Sequence, residues 1–324
     1  MTMDFLRPAT WAEALEAKAE RPGAVPVQGG TDVMVELNFD VRRPDALLDL
    51  NRVAALGEWS AEEDGRLRVG AGVTYARLIA ELGDRLPGLA QAARTVGSPQ
   101  IRNRGTVGGN LGAASPAGDG HPPLLAAGAE IEVESAARGV RMIPAEEFYL
   151  GVKRSALEPD ELIRAFWTRP AGGPQYFSKV GTRNAMVIAV CSFALALHPA
   201  ERRAGTGIGS AAPTPRRAVA AEEFLAAELD WDTGRLDPGL PRRFGELAAG
   251  AASPIDDVRG TAAYRRHAVA VLARRTLTWA WHDLWAAGPH EGPHDGPRGR
   301  VRRPGGPVAP GDPGDPEKPR REAG

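Results

Sequence analysis

Cysteine is nearly absent from this chain: Cys191 is the only one in 324 residues. A single thiol excludes an intrachain disulfide and any iron–sulfur cluster held by the chain's own cysteines. Cys191 lies in the apolar run AVCSFALAL, where a free thiol packs as a small hydrophobe. The histidines are scattered, and no Cys/His spacing fits a zinc site. An excess of one charge sign is missing too. Formal net charge is −1, which gives neither nucleic acid nor an anionic membrane an electrostatic reason to bind. No window holds the roughly 18 apolar residues of a membrane span. The N-terminus MTMDFLRPATWAEAL has no basic stretch followed by an apolar run, so a cytoplasmic protein is expected. No GxGxxG joins a strand to a helix and no GKS or GKT is present, which argues against a Rossmann domain or a P-loop NTPase. No catalytic nucleophile and base stand out. Ser98 and Ser115 precede prolines without an evident base, and His121, followed by two prolines, reads as an exposed loop histidine.

What is present is an ordinary globular composition, 43% hydrophobic and 25% charged, with length enough for two domains. WAEALEAKAE places Trp11, Ala14, Leu15 and Lys18 at helical spacing, with Thr10 and Glu13 as a capping box. Val25 to Val27 reads as a short strand, ALLDLNRV as a buried strand and turn, and AEIEVES as a strand with Ile131 and Val133 on one face. GRLRVGAGVTYARLIAEL passes from strand to helix, with Thr74 as N-cap. AVCSFALAL is a long apolar stretch following a loop or helix start. AEEFLAAEL and FGELAAGAA are helical by composition. A last helix is expected after Thr261, with Tyr264, Ala268, Val271 and Leu272 as its apolar stripe and its arginines on a solvated face. From Gly288 onward 18 of 37 residues are Gly or Pro, too little apolar surface to order a segment, so 288–324 is expected to be a disordered tail.

Two glycine segments carry the chemistry. The first is Gln28-Gly29-Gly30-Thr31-Asp32 after the Val25–Val27 strand; the second is Thr106-Val107-Gly108-Gly109-Asn110. Backbone N–H groups reach a phosphate oxygen only where no Cβ intervenes, and glycine also allows the positive φ that turns successive N–H groups inward. Thr31, Thr106 and Asn110 add side-chain donors. The second segment lies in residues 97–120, where seven glycines in 24 residues read as one long functional loop.

Together these segments resemble the FAD-binding (medium) subunit of the xanthine dehydrogenase and carbon monoxide dehydrogenase family of molybdenum hydroxylases. GGTDVMVELNF with RRPDALLDLNRV, then VGAGVTYARL, IRNRGTVGGNLGAASPAGD and LEPDELI, follow the family's flavin domain. FSKVGTRNAMVIAV, IGSAAPTPRRA and PIDDVRGTAAYRRH follow its C-terminal domain. Gly112, after Asn110-Leu111, departs from the larger or polar residues also common there.

The resemblance implies an α+β fold, with a two-lobed FAD-binding domain of the molybdopterin dehydrogenase type over 1–175 and a smaller α+β C-terminal domain over 176–287. It implies one FAD on this chain, held by Val27, Gln28, Gly29, Gly30, Thr31 and Asp32 and by Thr106, Val107, Gly108, Gly109 and Asn110. Asp119 matches a position contacting the flavin's polar chain, Ile163 an apolar position near the flavin, and Lys179 a basic one beside it. No metal ligand is implied on this chain. Molybdopterin and two [2Fe-2S] clusters would sit on a large molybdopterin subunit and a small iron–sulfur subunit. Electrons would pass from those clusters through FAD to NAD or another acceptor. A stand-alone FAD oxidoreductase, or a scaffold subunit that has lost FAD, are the alternatives.

Overall fold

The structure is a computed structural model and describes residues 3–286. The chain opens with β1 (Asp4–Leu6), α1 (Trp11–Glu20), β2 (Val25–Val27), α2 (Val33–Asn38) and β3 (Ala46–Asp49). Thr10 caps α1: its hydroxyl accepts the Glu13 amide at 3.2 Å, and Glu13 accepts the Ala9 amide at 2.7 Å. The buried positions of α1 include Ala14, Leu15 and Lys18, as its spacing predicts. Lys18 survives there because its ammonium donates to the carbonyls of Pro22 and Ala24 at 2.7 and 2.8 Å. The three strands form a parallel sheet in the order β1-β3-β2, and α1 and α2 lie in the crossovers that parallel strands require.

The second lobe contains β4 (Trp59–Ala61), β5 (Leu67–Gly70), α3 (Tyr75–Leu82), α4 (Pro87–Thr95), α5 (Pro99–Arg104), α6 (Val107–Ala113) and α7 (His121–Ala126). It continues with β6 (Glu130–Ser135), β7 (Gly139–Pro144), α8 (Ala145–Phe148), β8 (Tyr149–Gly151), β9 (Arg154–Ser155) and β10 (Leu162–Thr168). Five strands form an antiparallel sheet, β4-β5-β10-β6-β7. The alternation of β6 explains itself: Ile131 and Val133 enter the core, and Glu130, Glu132 and Glu134 pair with Arg66, Arg68 and Arg164 at 2.9, 2.7 and 2.9 Å. Residues 97–120 are not one loop. They hold α5 and α6, because Ser98 and Thr106 cap them, accepting the amides of Ile101 and Gly109 at 3.4 and 2.9 Å. Local capping outweighed the glycine content.

The third part holds β11 (Gln175–Val180), β12 (Cys191–His198), β13 (Arg203–Gly209), α9 (Val219–Glu228), α10 (Leu240–Ala251) and α11 (Ala262–Ala286). AVCSFALAL ends in β12, the central strand of an antiparallel sheet, so both its faces are covered and it reads as continuously apolar. Thr261 caps α11, accepting the Tyr264 amide at 3.1 Å. The buried stripe of α11 is rotated from the expected one: Tyr264 is 49% exposed and Arg265 only 4%. Arg265 leaves the solvated face because Asp257, from the DDVRGT segment, meets it at 2.5 Å. The tail over 288–324 lies outside the described residues.

One core fills the first two lobes and a second fills the third part. They meet where α7 lies on β13. Cβ atoms built on Gly205 and Gly207 would fall 2.0 Å from the Ala126 carbonyl oxygen and 2.1 Å from that of Pro122. The alternating glycines of RAGTGIG let a helix backbone lie directly on a strand.

Candidate functional site

The first glycine segment is the turn between β2 and α2. Gly30 has φ +72°, a left-handed conformation that disfavours any side chain. Gly29 is needed for a different reason: a Cβ there would lie 2.1 Å from the Arg104 carbonyl oxygen. That contact brings the first segment against the residues just before the second. Among the described residues, the N–H groups of Gly29, Gly30, Thr31 and Asp32 find no protein acceptor. Four consecutive free donors at a partly open turn form a nest for an anion.

The second segment is the first turn of α6. Only one face of it is open. Val107 and Gly108 are buried, and a Cβ on Gly108 would lie 2.4 Å from Ala71 Cβ. Gly109 is exposed and lacks the positive φ that glycine would permit, because Thr106 holds it in the helix. A Cβ there would meet only Thr106 Oγ1, at 3.1 Å. Asn110 turns its carboxamide inward, accepting the Gly120 amide at 3.3 Å. Val27 ends β2, and its carbonyl accepts the Leu50 amide at 2.9 Å. Gln28 keeps a buried Oε1 with no partner.

Asp119 and Lys179 meet across the two cores. Asp119 Oδ2 accepts from Lys179 Nζ at 2.5 Å and from Thr95 Oγ1 at 3.1 Å. Burial pushes the Asp119 carboxyl up, and the Lys179 ammonium pulls it back. Its Oδ1 is buried without a partner. Lys179 spends its remaining donors on the carbonyls of Thr95 and Val187, at 3.1 and 3.2 Å. All three of its N–H bonds therefore have protein acceptors. Ile163 sits at an irregularity in β10, nearly buried, with its Cδ1 3.8 Å from where a Cβ on Gly112 would be. The structure thus gathers the glycine segments, Asp119, Lys179 and Ile163 around α6.

A cleft of about 710 Å³ opens beside Lys179, with Arg94, Arg102 and Arg183 in its wall and no acidic residue among those lining it. The expectation for His121 was wrong. It is fully buried, and its Nδ1 lies 2.8 Å from the Tyr149 hydroxyl. His121-Pro122-Pro123 opens α7, and prolines in a first helical turn were the signal available for this.

The family described as FAD binding domain in molybdopterin dehydrogenase matches residues 1–167, and CO dehydrogenase flavoprotein C-terminal domain matches residues 176–280. The xanthine dehydrogenase FAD-binding subunit of Escherichia coli O157:H7 is 35% identical over 68% of this chain and 77% of its own length. The nicotine 6-hydroxylase medium subunit of Paenarthrobacter nicotinovorans is 30% identical, over 84% of this chain and 95% of its own. Among solved structures, a carbon monoxide dehydrogenase chain from Hydrogenophaga pseudoflava superposes with a TM-score of 0.80 at 26% identity, covering 88% of this chain and 99% of that one.

Proposed function

The chain belongs to the xanthine dehydrogenase-like flavoprotein subunits built on the FAD-binding domain of molybdopterin dehydrogenases, and from that premise we propose that it relays electrons from a partner subunit through FAD to an acceptor. The run of four free N–H groups at Gly29 to Asp32 is the observation that carries this reading. Beside it, the exposed face of Gly109 leaves room for backbone approach, and the buried, unpartnered Asp119 Oδ1 awaits a donor such as a cofactor hydroxyl. These features fit FAD, and a scaffold without cofactor has no use for them.

In this reading the amides of Gly29, Gly30, Thr31 and Asp32, with Gln28 and the end of β2 at Val27 behind them, hold the pyrophosphate. Thr106, Val107, Gly108, Gly109 and Asn110 supply the second wall as the close surface of the first turn of α6, since the Gly108, Gly109 and Asn110 amides already donate to the Ala71 carbonyl, Thr106 Oγ1 and the Thr106 carbonyl. Asp119 takes a hydroxyl of the cofactor's chain, Lys179 fixes Asp119, and Ile163 presents an apolar surface near the flavin. FAD, when bound, supplies the redox chemistry of collecting and passing on electrons. With one buried cysteine, the chain must receive electrons from iron–sulfur clusters on another subunit. A small iron–sulfur subunit and a large molybdopterin subunit are the partners. The cleft walled by Arg94, Arg102 and Arg183 suits an anionic acceptor, NAD among them. A domain division after residue 175 is supported by the two separate cores.

Gly109→Val in the full chain tests this. Its Cβ meets no backbone, so the fold should persist, while the added isopropyl group holds the pyrophosphate off the free amides of Gly29 to Asp32 and FAD affinity falls at least about 100-fold, the loss of two charge-assisted hydrogen bonds. Unchanged FAD binding, read by flavin fluorescence, would sink the reading.

A further inference from the structure

The turn that carries Asp119 is held from several sides. Ser210 donates its amide to the Pro116 carbonyl at 2.8 Å, from the third part of the chain. Lys179 and Thr95 hold the Asp119 side chain. Asn110, from the second glycine segment, takes the Gly120 amide. Beneath Gly118 lies His121. A Cβ built on Gly118 would sit 2.3 Å from His121 Nε2 and 2.6 Å from Asn110 Nδ2. The imidazole and the Asn110 carboxamide therefore press on the same α-carbon, one residue from Asp119.

The ring itself is fixed by Tyr149. Its hydroxyl lies 2.8 Å from Nδ1, and the two rings meet edge to face at 4.8 Å. Burial pushes the His121 imidazole down to about 3 and the Tyr149 phenol well above its ordinary value. Both are neutral at working pH. With Tyr149 donating, Nδ1 accepts and the ring proton is assigned to Nε2, which packs against Gly118 without a hydrogen-bond partner. A leucine of similar volume would leave the Tyr149 hydroxyl buried and unpaired. Such a ring has no route to a substrate proton, so acid–base catalysis does not account for it.

We propose that His121 is a positioning residue for the cofactor: locked by Tyr149, it forms the floor that sets the Asp119 turn and Asn110 against the second glycine segment. This rests on the reading that Asp119 and the glycine segments hold FAD. His121 acts through Asp119, so its effect on affinity depends on that carboxylate.

The experiment is a double-mutant cycle on the full chain, with FAD dissociation constants and the Tm of the flavin-free protein measured for each variant. His121→Leu and Tyr149→Phe should each weaken FAD about tenfold. His121→Asn should stay within about threefold of the unaltered chain, since its amide oxygen can take over the Tyr149 bond. In an Asp119→Ala background the His121→Leu effect should shrink to about twofold or less, the non-additivity of residues acting through one another. A purely packing role predicts parallel falls in Tm and the same FAD loss in both backgrounds, and that result overturns the proposal. So does an unchanged FAD affinity in His121→Leu and Tyr149→Phe. Failure of the unaltered chain to bind FAD at all overturns the parent reading, and this one with it.

Discussion

Glycines that look alike in the sequence do different work. Gly29 and Gly108 are glycine because backbone or a core side chain occupies the place of a Cβ. Gly30 is glycine for its positive φ, and Gly109 has open space on its outer face. Substitution should separate these roles. Gly108→Val should lower stability by about 3 kcal/mol through overpacking against Ala71, read as a loss of Tm without flavin, whereas Gly109→Val should leave that Tm nearly unchanged. His121 should also make stability depend on pH. Its folded pKa of about 3 lies below the ordinary 6.5, so between those values the unfolded chain binds the extra proton. The penalty is absent above about pH 6.5 and grows as pH falls toward 3. At ~1.4 kcal/mol per unit, this group costs about 2 kcal/mol of stability between pH 6.5 and 5. Urea midpoints should therefore fall more steeply with acid in the unaltered chain than in His121→Asn. Equal slopes would show that His121 is not buried neutral.

The decisive element pair is α7 on β13. In sequence GTGIGSAAPTPRRA reads as a small-residue, proline-bearing turn, since glycine packs nothing, but Arg203–Gly209 is strand β13. In the structure, that absence of side chains is what lets α7 settle on the strand and join the two cores. Because α7 begins at His121, its seat also determines where the Asp119 turn lies. Gly205→Ala should therefore cost about 3 kcal/mol of stability and weaken FAD as well, although residue 205 is outside the proposed cofactor site. Calorimetry with and without FAD checks both effects; a stability loss with FAD affinity intact would uncouple the seam from the site. Helical spacing showed that one face of α11 is apolar, but Arg265 joined it only because Asp257 arrives from before the helix.

For the whole molecule, one cysteine and one cradle predict one FAD per chain, non-covalent, and no iron. Acid precipitation should send all the flavin into the supernatant, and metal analysis should find no iron; yellow colour left in the pellet would exclude non-covalent binding. By itself the sequence determined the elements whose signals are local. Thr10, Thr74 and Thr261 mark helix starts because a hydroxyl meets an amide three residues on, and the alternation of AEIEVES marks a strand because one side faces a core. It also showed the two glycine segments and, through ordered motifs, the family. Tertiary structure alone decided which glycine is packed and which is open, that Asn110 turns inward, and that Lys179 spends its donors on Asp119, Thr95 and Val187. It alone buried His121, which its neighbours Gly120 and Pro122 made look like part of a loop. The reason is physical: caps and periodicity are set within a few residues of chain, whereas burial and hydrogen-bond partners come from segments tens of residues away.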